Sequence, residues 1–362
     1  MIPIARPSVG IEEAHAAYEV IISGNLASGN QVALFEQEFS NYIGVSHGIA
    51  TSNGTTALHA AMLALGIGPG DEVIVPSFTF IATATSVMMC GASPVVADVD
   101  PLTYCIDPES VVENITSHTK AVLGVHLFGQ PCEIRAIQDI CEDHRLLFIE
   151  DCAQAHGAEY HGKKVGSFGS VGCFSFYPTK NMTTGEGGFV TCNDNGIAKK
   201  VRLLINHGQE EKYLHTQVGY NYRLTDISAS IGRIQLRKLD GMNYKRRANG
   251  SFYFDNIHKK GIIIPGIREH CTHVYHQYAI RVSEDSGTNR DEFAHTLNSR
   301  GVGTAVHYPI PIHEQPVFKN KISGSLCPVS QELSREILSL PVYPDLTQNE
   351  RNIIINAIHM VE

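Results

Sequence analysis

Two rhythms of apolar residues alternate through the first half of the chain. Short apolar runs at residues 72–75, 94–98, 121–127, 146–151 and 171–176 are bounded by turn residues and read as buried strands. Between them the spacing becomes helical. Leu58, Met62 and Leu65 share one face, a second helix follows Pro76-Ser77-Phe78-Thr79-Phe80 and ends near Gly91, a third follows Asp107-Pro108, and Ile134, Ile137 and Ile140 mark a fourth. This alternation predicts a mostly parallel, doubly wound sheet whose ligands sit beyond the strand C-termini. Ahead of it come an extended entry at residues 2–7, a helix from Glu12 with Ala14, Ala17, Val20 and Ile21 on its inner face, and a helix over about 32–42. Behind it, residues 187–192 return beside 171–176 as a hairpin partner. A helix over about 195–206 and an irregular stretch at 207–222 follow. Thr225 starts a long amphipathic helix with Ile227, Ile231, Ile234 and Leu239 as its apolar positions. The composition shifts inside that helix near Gly241, so the expected division is a large α/β domain at 1–240 and a small α+β domain at 241–362. The small domain has strands at 261–264 and 274–282, a helix at 290–300 and a helical end.

Composition narrows the function. The 362 residues are 43% hydrophobic and 18% charged, an ordinary globular balance. A net charge of −9 without any Lys/Arg run argues against nucleic acid as a partner. With no charged-then-apolar leader and no long apolar stretch, the expectation is a cytoplasmic protein without membrane contact. The nine cysteines form no Cys-x-x-Cys pair and read as reduced core thiols. None of the 18 histidines has the i, i+4 spacing of a zinc helix, so no metal is expected.

The chemistry gathers around Lys180. It lies in Ser175-Phe176-Tyr177-Pro178-Thr179-Lys180-Asn181-Met182-Thr183-Thr184-Gly185-Glu186-Gly187-Gly188, between an aromatic strand and a glycine-rich turn. A lysine there is either a solvated loop residue or an amine tuned to form a Schiff base with an aldehyde such as pyridoxal phosphate. The second use requires an acid for the pyridine nitrogen, donors for the phosphate and a flat side chain for the ring. Asp151, at the end of the 146–151 strand, suits the nitrogen or caps a helix. Gln154, three residues on, can reach the phenolic oxygen. The turn Ser52-Asn53-Gly54-Thr55-Thr56 opens a helix and offers backbone N–H groups and two threonine hydroxyls to an anion, or is capped by Ser52 or Asn53. Phe80 is a candidate ring cover or a core residue.

Taken in order, Pro3-Ile4-Ala5-Arg6-Pro7, Asn53-Gly54-Thr55-Thr56-Ala57-Leu58, Glu150-Asp151-Cys152-Ala153-Gln154, the lysine window and Gly219-Tyr220-Asn221-Tyr222-Arg223-Leu224-Thr225-Asp226 resemble the DegT-type sugar aminotransferases over nearly the whole chain. The resemblance implies the aspartate-aminotransferase-like pyridoxal phosphate fold (fold type I). Lys180 would then form the Schiff base, Asp151 pair with the ring nitrogen, Gln154 meet the phenolic oxygen and Phe80 cover the ring. Thr55, Thr56 and Ser175 would hold the phosphate. Asn221 would reach the phosphate of a neighbouring subunit, which implies a homodimer with shared sites. It further implies L-glutamate as amino donor and a keto sugar nucleotide as acceptor, with Arg223, His307, Tyr308 and His313 as substrate contacts.

The lysine window looks like members that aminate a 4-keto sugar, whereas Val306-His307-Tyr308-Pro309-Ile310-Pro311-Ile312-His313-Glu314-Gln315-Pro316 looks like members that aminate a 3-keto sugar. The later stretch is expected nearer the sugar, which favours C3. Dehydrating relatives carry histidine in place of the lysine, so Lys180 argues against that chemistry. A pyridoxal phosphate-binding regulator without turnover is the alternative from another class. A nicotinamide-type Rossmann protein lacks its Gly-x-Gly-x-x-Gly turn here.

Overall fold

A computed structural model describes residues 1–319 and 321–361. Its central feature is a sheet with spatial order β1 (His47–Thr51), β9 (Gly188–Cys192), β8 (Val171–Ser175), β5 (Leu147–Asp151), β4 (Thr119–Val125), β2 (Glu72–Pro76), β3 (Ser93–Ala97) and β15 (Ser323–Gly324). Every pairing from β8 through β15 is parallel; β9 alone runs against its neighbours β1 and β8. The short β6 (Glu159–Tyr160) and β7 (Lys163–Lys164) lie between β5 and β8 in the chain and form a small sheet with β13 (Cys271–Thr272). Buried on both faces, the parallel strands can be apolar throughout, as the sequence shows. Helices α1 (Ile11–Ser23), α2 (Asn30–Ile43), α3 (Gly54–Ala64), α4 (Ala82–Met89), α5 (Pro108–Glu113), α6 (Ile134–His144) and α7 (Asn195–Ile205) belong to this half of the chain. Phe35 and Phe39, one turn apart on α2, close edge-on or tilted against Phe174, Phe176 and Phe189 at centroid distances of 4.8–5.7 Å. This anchors the floor under the lysine hairpin, and truncating a ring like Phe39 costs on the order of 3–5 kcal/mol.

The stretch at 207–222 contains a small hairpin, β10 (Gln209–Glu211) and β11 (Leu214–His215). α8 (Asp226–Asn256), capped by Thr225, then runs from the main core to a second cluster of buried residues. That second cluster is built on β14 (Tyr278–Val282) between β12 (Ile262–Ile263) and β16 (Ile337–Leu340), with α9 (Arg290–Ser299) and α11 (Gln348–His359). Phe318, Cys327 and Leu333 return to the first cluster, Leu333 from α10 (Pro328–Glu336). No described helix is long and apolar enough to cross a membrane. All nine cysteines are free thiols; eight are buried and Cys271 is partly so.

Two helices depart from their expected faces. On α1 Val20 is buried, but Ile21 is 54% exposed and the other buried residue is Glu13. Glu13 accepts from the Gly10 N–H, Gln235 and Lys238, so an acid, not the alanine stripe, docks α1 on α8. On α8 Ile227, Ile231 and Ile234 are only half-buried, while Ala229, Gly232, Gln235, Asn243, Arg246 and Asn249 are buried. Gln235, Asn243 and Asn249 find hydrogen-bond partners outside the helix, and Arg246 donates through Nη1 to the Tyr275 carbonyl. The helical end also contains a strand, β16, which pairs with β14.

Candidate active site

Parallel strands bring the lysine hairpin and the acid loop to one end of the sheet. Asp151 is the last residue of β5 and is 5% exposed, with Oδ2 accepting from Thr83 (3.1 Å) and Oδ1 from the Ala153 N–H (3.1 Å). Side chains alternate along a strand, so its neighbour Glu150 turns to the other face. There Glu150 accepts from the N–H groups of Gly166, Phe168 and Gly169 and from His126. His126 Nδ1 accepts from the Cys132 N–H, which places the ring proton on Nε2 toward Glu150. The cluster of His126, Glu150 and Cys152 is therefore committed to holding loops.

Lys180 follows β8 in the hairpin. The residue as a whole is partly exposed. Burial of the amine lowers its pKa from the usual 10.5 to about 8, with the charge of Asp151 pulling the other way. Burial also raises the Asp151 carboxyl, opposed by the Ala153 N–H, Lys180 and Thr83. Each group loses charge stabilisation through burial and recovers part of it from the other. Around Lys180 stand neutral histidines. His156 is held near pKa 3 and His307 near 4 by burial and then by Lys180, and His276 is pushed well down for the same reasons.

An anion cradle lies at the start of α3. Asn53 Oδ1 accepts from the Thr56 N–H (2.9 Å), and the Thr56 hydroxyl donates to Asn53 O (2.8 Å), so Thr56 serves the cap. The N–H groups of Gly54 and Thr55 and the hydroxyls of Thr55 and Ser175 have no partner among the described residues. Ser175 stands directly over the turn: a Cβ added at Gly54 would come within 2.7 Å of the Ser175 Cβ. Unpaired donors at a helix start suit a phosphate.

Gln154 accepts the Phe128 N–H (2.8 Å) and donates to the Tyr308 hydroxyl (2.9 Å). Tyr308 in turn sits 6.0 Å from Phe80 and 6.1 Å from Phe78, ring centre to ring centre. Phe80 is 53% exposed, an uncovered aromatic face on the cleft. His307 binds Ser339, and His313 binds Ser77 through Nδ1. Asn221 and Arg223 are joined to these groups by no side-chain contact among the described residues. The Tyr222 carbonyl accepts from the Ser52 N–H (2.7 Å), Tyr220 and Tyr222 stack at 4.8 Å beside His59, and Asn221 between them points outward, exposed. Arg223 donates to Asn206 (2.6 Å). Sequence reasoning did not single out Thr83, Gly54 or His156. Gly54 lay inside a quoted motif and His156 two residues beyond one, whereas Thr83 is an unremarked helix residue that only the fold brings to Asp151.

These residues fit pyridoxal phosphate: unpaired donors for a phosphate, an open aromatic face, a buried acid for a ring nitrogen and a lysine with a lowered pKa. When bound, that group supplies an aldehyde for amines and a conjugated ring that stabilises negative charge on the adjoining carbon. Gly54, Thr55 and Ser175 would hold its phosphate, Asp151 its ring nitrogen and Phe80 its face.

The sequence profile of the DegT/DnrJ/EryC1/StrS aminotransferase family matches residues 7–359. A UDP-N-acetyl-3-dehydro-alpha-D-glucosamine 3-aminotransferase of Acidithiobacillus ferrooxidans is 40% identical over 92% of this chain and 89% of its own. A GDP-perosamine synthase of Caulobacter vibrioides is 39% identical over 99% and 98%. The crystal structure of S. venezuelae DesV in complex with a ketimine intermediate superposes with a TM-score of 0.92 at 37% identity, covering 96% of this chain and 93% of that one.

Proposed function

Because this chain belongs to the DegT/DnrJ/EryC1/StrS aminotransferase family, we propose that its cleft moves an amino group from L-glutamate to a keto sugar carried on a nucleotide, with a C3 ketone as the favoured acceptor. Membership makes it a pyridoxal phosphate-dependent aminotransferase of nucleotide sugars. The observation that carries the proposal is Lys180, a partly exposed hairpin residue whose buried amine has a lowered pKa and is electrostatically coupled to the buried Asp151. Lys180 Nζ, when free, would take a proton from the substrate carbon that bears nitrogen and deliver it to the carbon on the other side of that nitrogen. Asp151 would hold positive charge at the cofactor's ring nitrogen, and Thr83 and the Ala153 N–H donate to its carboxylate. Phe80, backed by Tyr308 and Phe78, would cover one face of the ring.

The C3 preference is supported by the 3-aminotransferase among the relatives. His307, the residue before Tyr308, is with Arg223 and His313 a proposed contact of the diphosphate and sugar. A homodimer with shared sites is supported by the outward Asn221 and by exposed apolar residues around it, Tyr213, Leu214 and Val218. The test is the visible spectrum of the loaded protein before and after L-glutamate without any sugar. Conversion to the amine form of the cofactor, followed by reversal with a 3-keto but not a 4-keto sugar nucleotide, is expected. An unchanged spectrum removes the donor assignment, and reversal by the 4-keto sugar alone removes the C3 preference.

A further inference from the structure

The lysine turn and the acid loop are separate segments, and one buried carboxamide joins them. Asn243, 1% exposed on α8, accepts from Asn181 Nδ2 (2.9 Å) and donates from its own Nδ2 to the His156 carbonyl (2.8 Å). Asn181 is the residue after Lys180; His156 closes the run that holds Asp151 and Gln154. The orientation is fixed by chemistry. A backbone carbonyl only accepts, so the Asn243 amide nitrogen must face His156, and Asn181 must then donate. Asn181 does so consistently, since its Nδ2 also reaches the Val274 carbonyl (2.9 Å). Gly157, at φ +78°, leaves room: a Cβ there would lie 2.9 Å from Asn243 Nδ2. Eight residues earlier on the same helix, Gln235 Oε1 accepts from the Thr183 N–H (3.3 Å) and grips the far side of the same turn.

We propose that Asn243 is a positioning residue whose carboxamide sets the spacing between the Lys180 amine and the Asp151 carboxylate. The proposal rests on the reading of those two residues given above. Without the carboxamide the lysine turn is no longer pinned to the acid loop, the amine gains water, and it titrates closer to an ordinary lysine.

The test uses the full chain freed of pyridoxal phosphate and follows acylation of Lys180 by acetic anhydride against pH, read by peptide mass spectrometry. Wild type should give a midpoint near 8. Asn243→Leu should raise it by about one pH unit, roughly tenfold less labelling at pH 7. The control is Asn249→Leu. Asn249 is another buried amide of α8, donating to the Tyr343 carbonyl (2.9 Å) in the second cluster, and its loss should lower thermal stability while leaving the Lys180 midpoint at the wild-type value. An unmoved midpoint in Asn243→Leu, or an equal movement in Asn249→Leu, overturns the proposal. If Asn243→Leu yields no folded protein, Asn243→Ala decides: it removes both carboxamide hydrogen bonds without adding a charge, so a raised midpoint supports the proposal and a wild-type midpoint overturns it. A wild-type midpoint near 10.5 removes the reading of Lys180 and this proposal together, whereas a wild-type midpoint near 8 that no Asn243 variant moves removes this proposal alone.

Discussion

Replacing Asp151 with Asn should make Lys180 more reactive while making the enzyme worse. In the wild-type fold the fall of the amine from 10.5 to about 8 leaves roughly one amine in ten neutral at pH 7, about 300-fold more than an ordinary lysine. Asp151 opposes that fall. Asparagine keeps the shape and the Ala153 and Thr83 neighbours but carries no charge, so the amine should drop further, by about one pH unit on the scale of a nearby opposite charge. About half of it is then neutral at pH 7, and acylation of Lys180 in the cofactor-free chain should speed up about fivefold. Turnover should fall at least ~100-fold, the scale of losing one oriented electrostatic partner in a closed site. The assay pairs mass-spectrometric labelling of Lys180 with amino transfer by the loaded enzyme. Labelling that is unchanged or slower in Asp151→Asn would refute the electrostatic coupling, and retained turnover would refute the role of Asp151.

Asn221→Ala should weaken pyridoxal phosphate retention in the dimer without changing fold stability by more than ~0.5 kcal/mol, since the residue is exposed; equilibrium dialysis with thermal unfolding checks this. Gly54→Ala should weaken cofactor binding more than Thr56→Ser does, because its Cβ would press on Ser175 in the cradle whereas Thr56→Ser keeps the capping hydroxyl; fluorescence titration of the cofactor ranks the two. Stability should fall as pH drops from 6.5 toward 4. His156, His273 and His307 have folded values of about 3, 3 and 4, below the ordinary 6.5, so the unfolded chain binds more protons throughout that window. At pH 5 each costs up to ~2 kcal/mol, and urea titrations at pH 7 and pH 5 measure the sum.

Much of the sheet was readable because parallel strands buried on both faces are apolar without interruption, and the turns between them carry glycine and proline. The faces of α1 and α8 were not. A periodicity argument assumes that apolar positions point inward, and α8 turns Gln235, Asn243, Arg246 and Asn249 inward instead, each answered by a loop that lies far away in the chain. β16 was missed for a related reason: Ile337–Leu340 is a short apolar run that could continue a helix until its partner β14 is known. Of the proposed site residues, Lys180, Asp151, Ser175 and Thr55 stand in motifs that the sequence alone displays. What the sequence withheld was which of two adjacent groups is free: Thr56 against Thr55, Glu150 against Asp151. That is decided by strand alternation and by which donors the cap has already used.

The scattered thiols have a practical consequence. Cys90, Cys105, Cys141 and Cys327 are pushed up to about 12 by burial, and Cys132, Cys152 and Cys173 are raised well above the usual value by the same cause. At neutral pH almost none of these sulfurs exists as thiolate, and eight of the nine cysteines are shielded from reagents. Alkylation can therefore proceed only as fast as each layer opens. Cys152 and Cys173 lie at the heart of the sheet beside Asp151, Cys141 on a covering helix and Cys271 at a partly open edge strand. The order in which they are modified in rising denaturant would read out, without any added label or substitution, whether the cofactor end of the sheet opens separately or only with the whole.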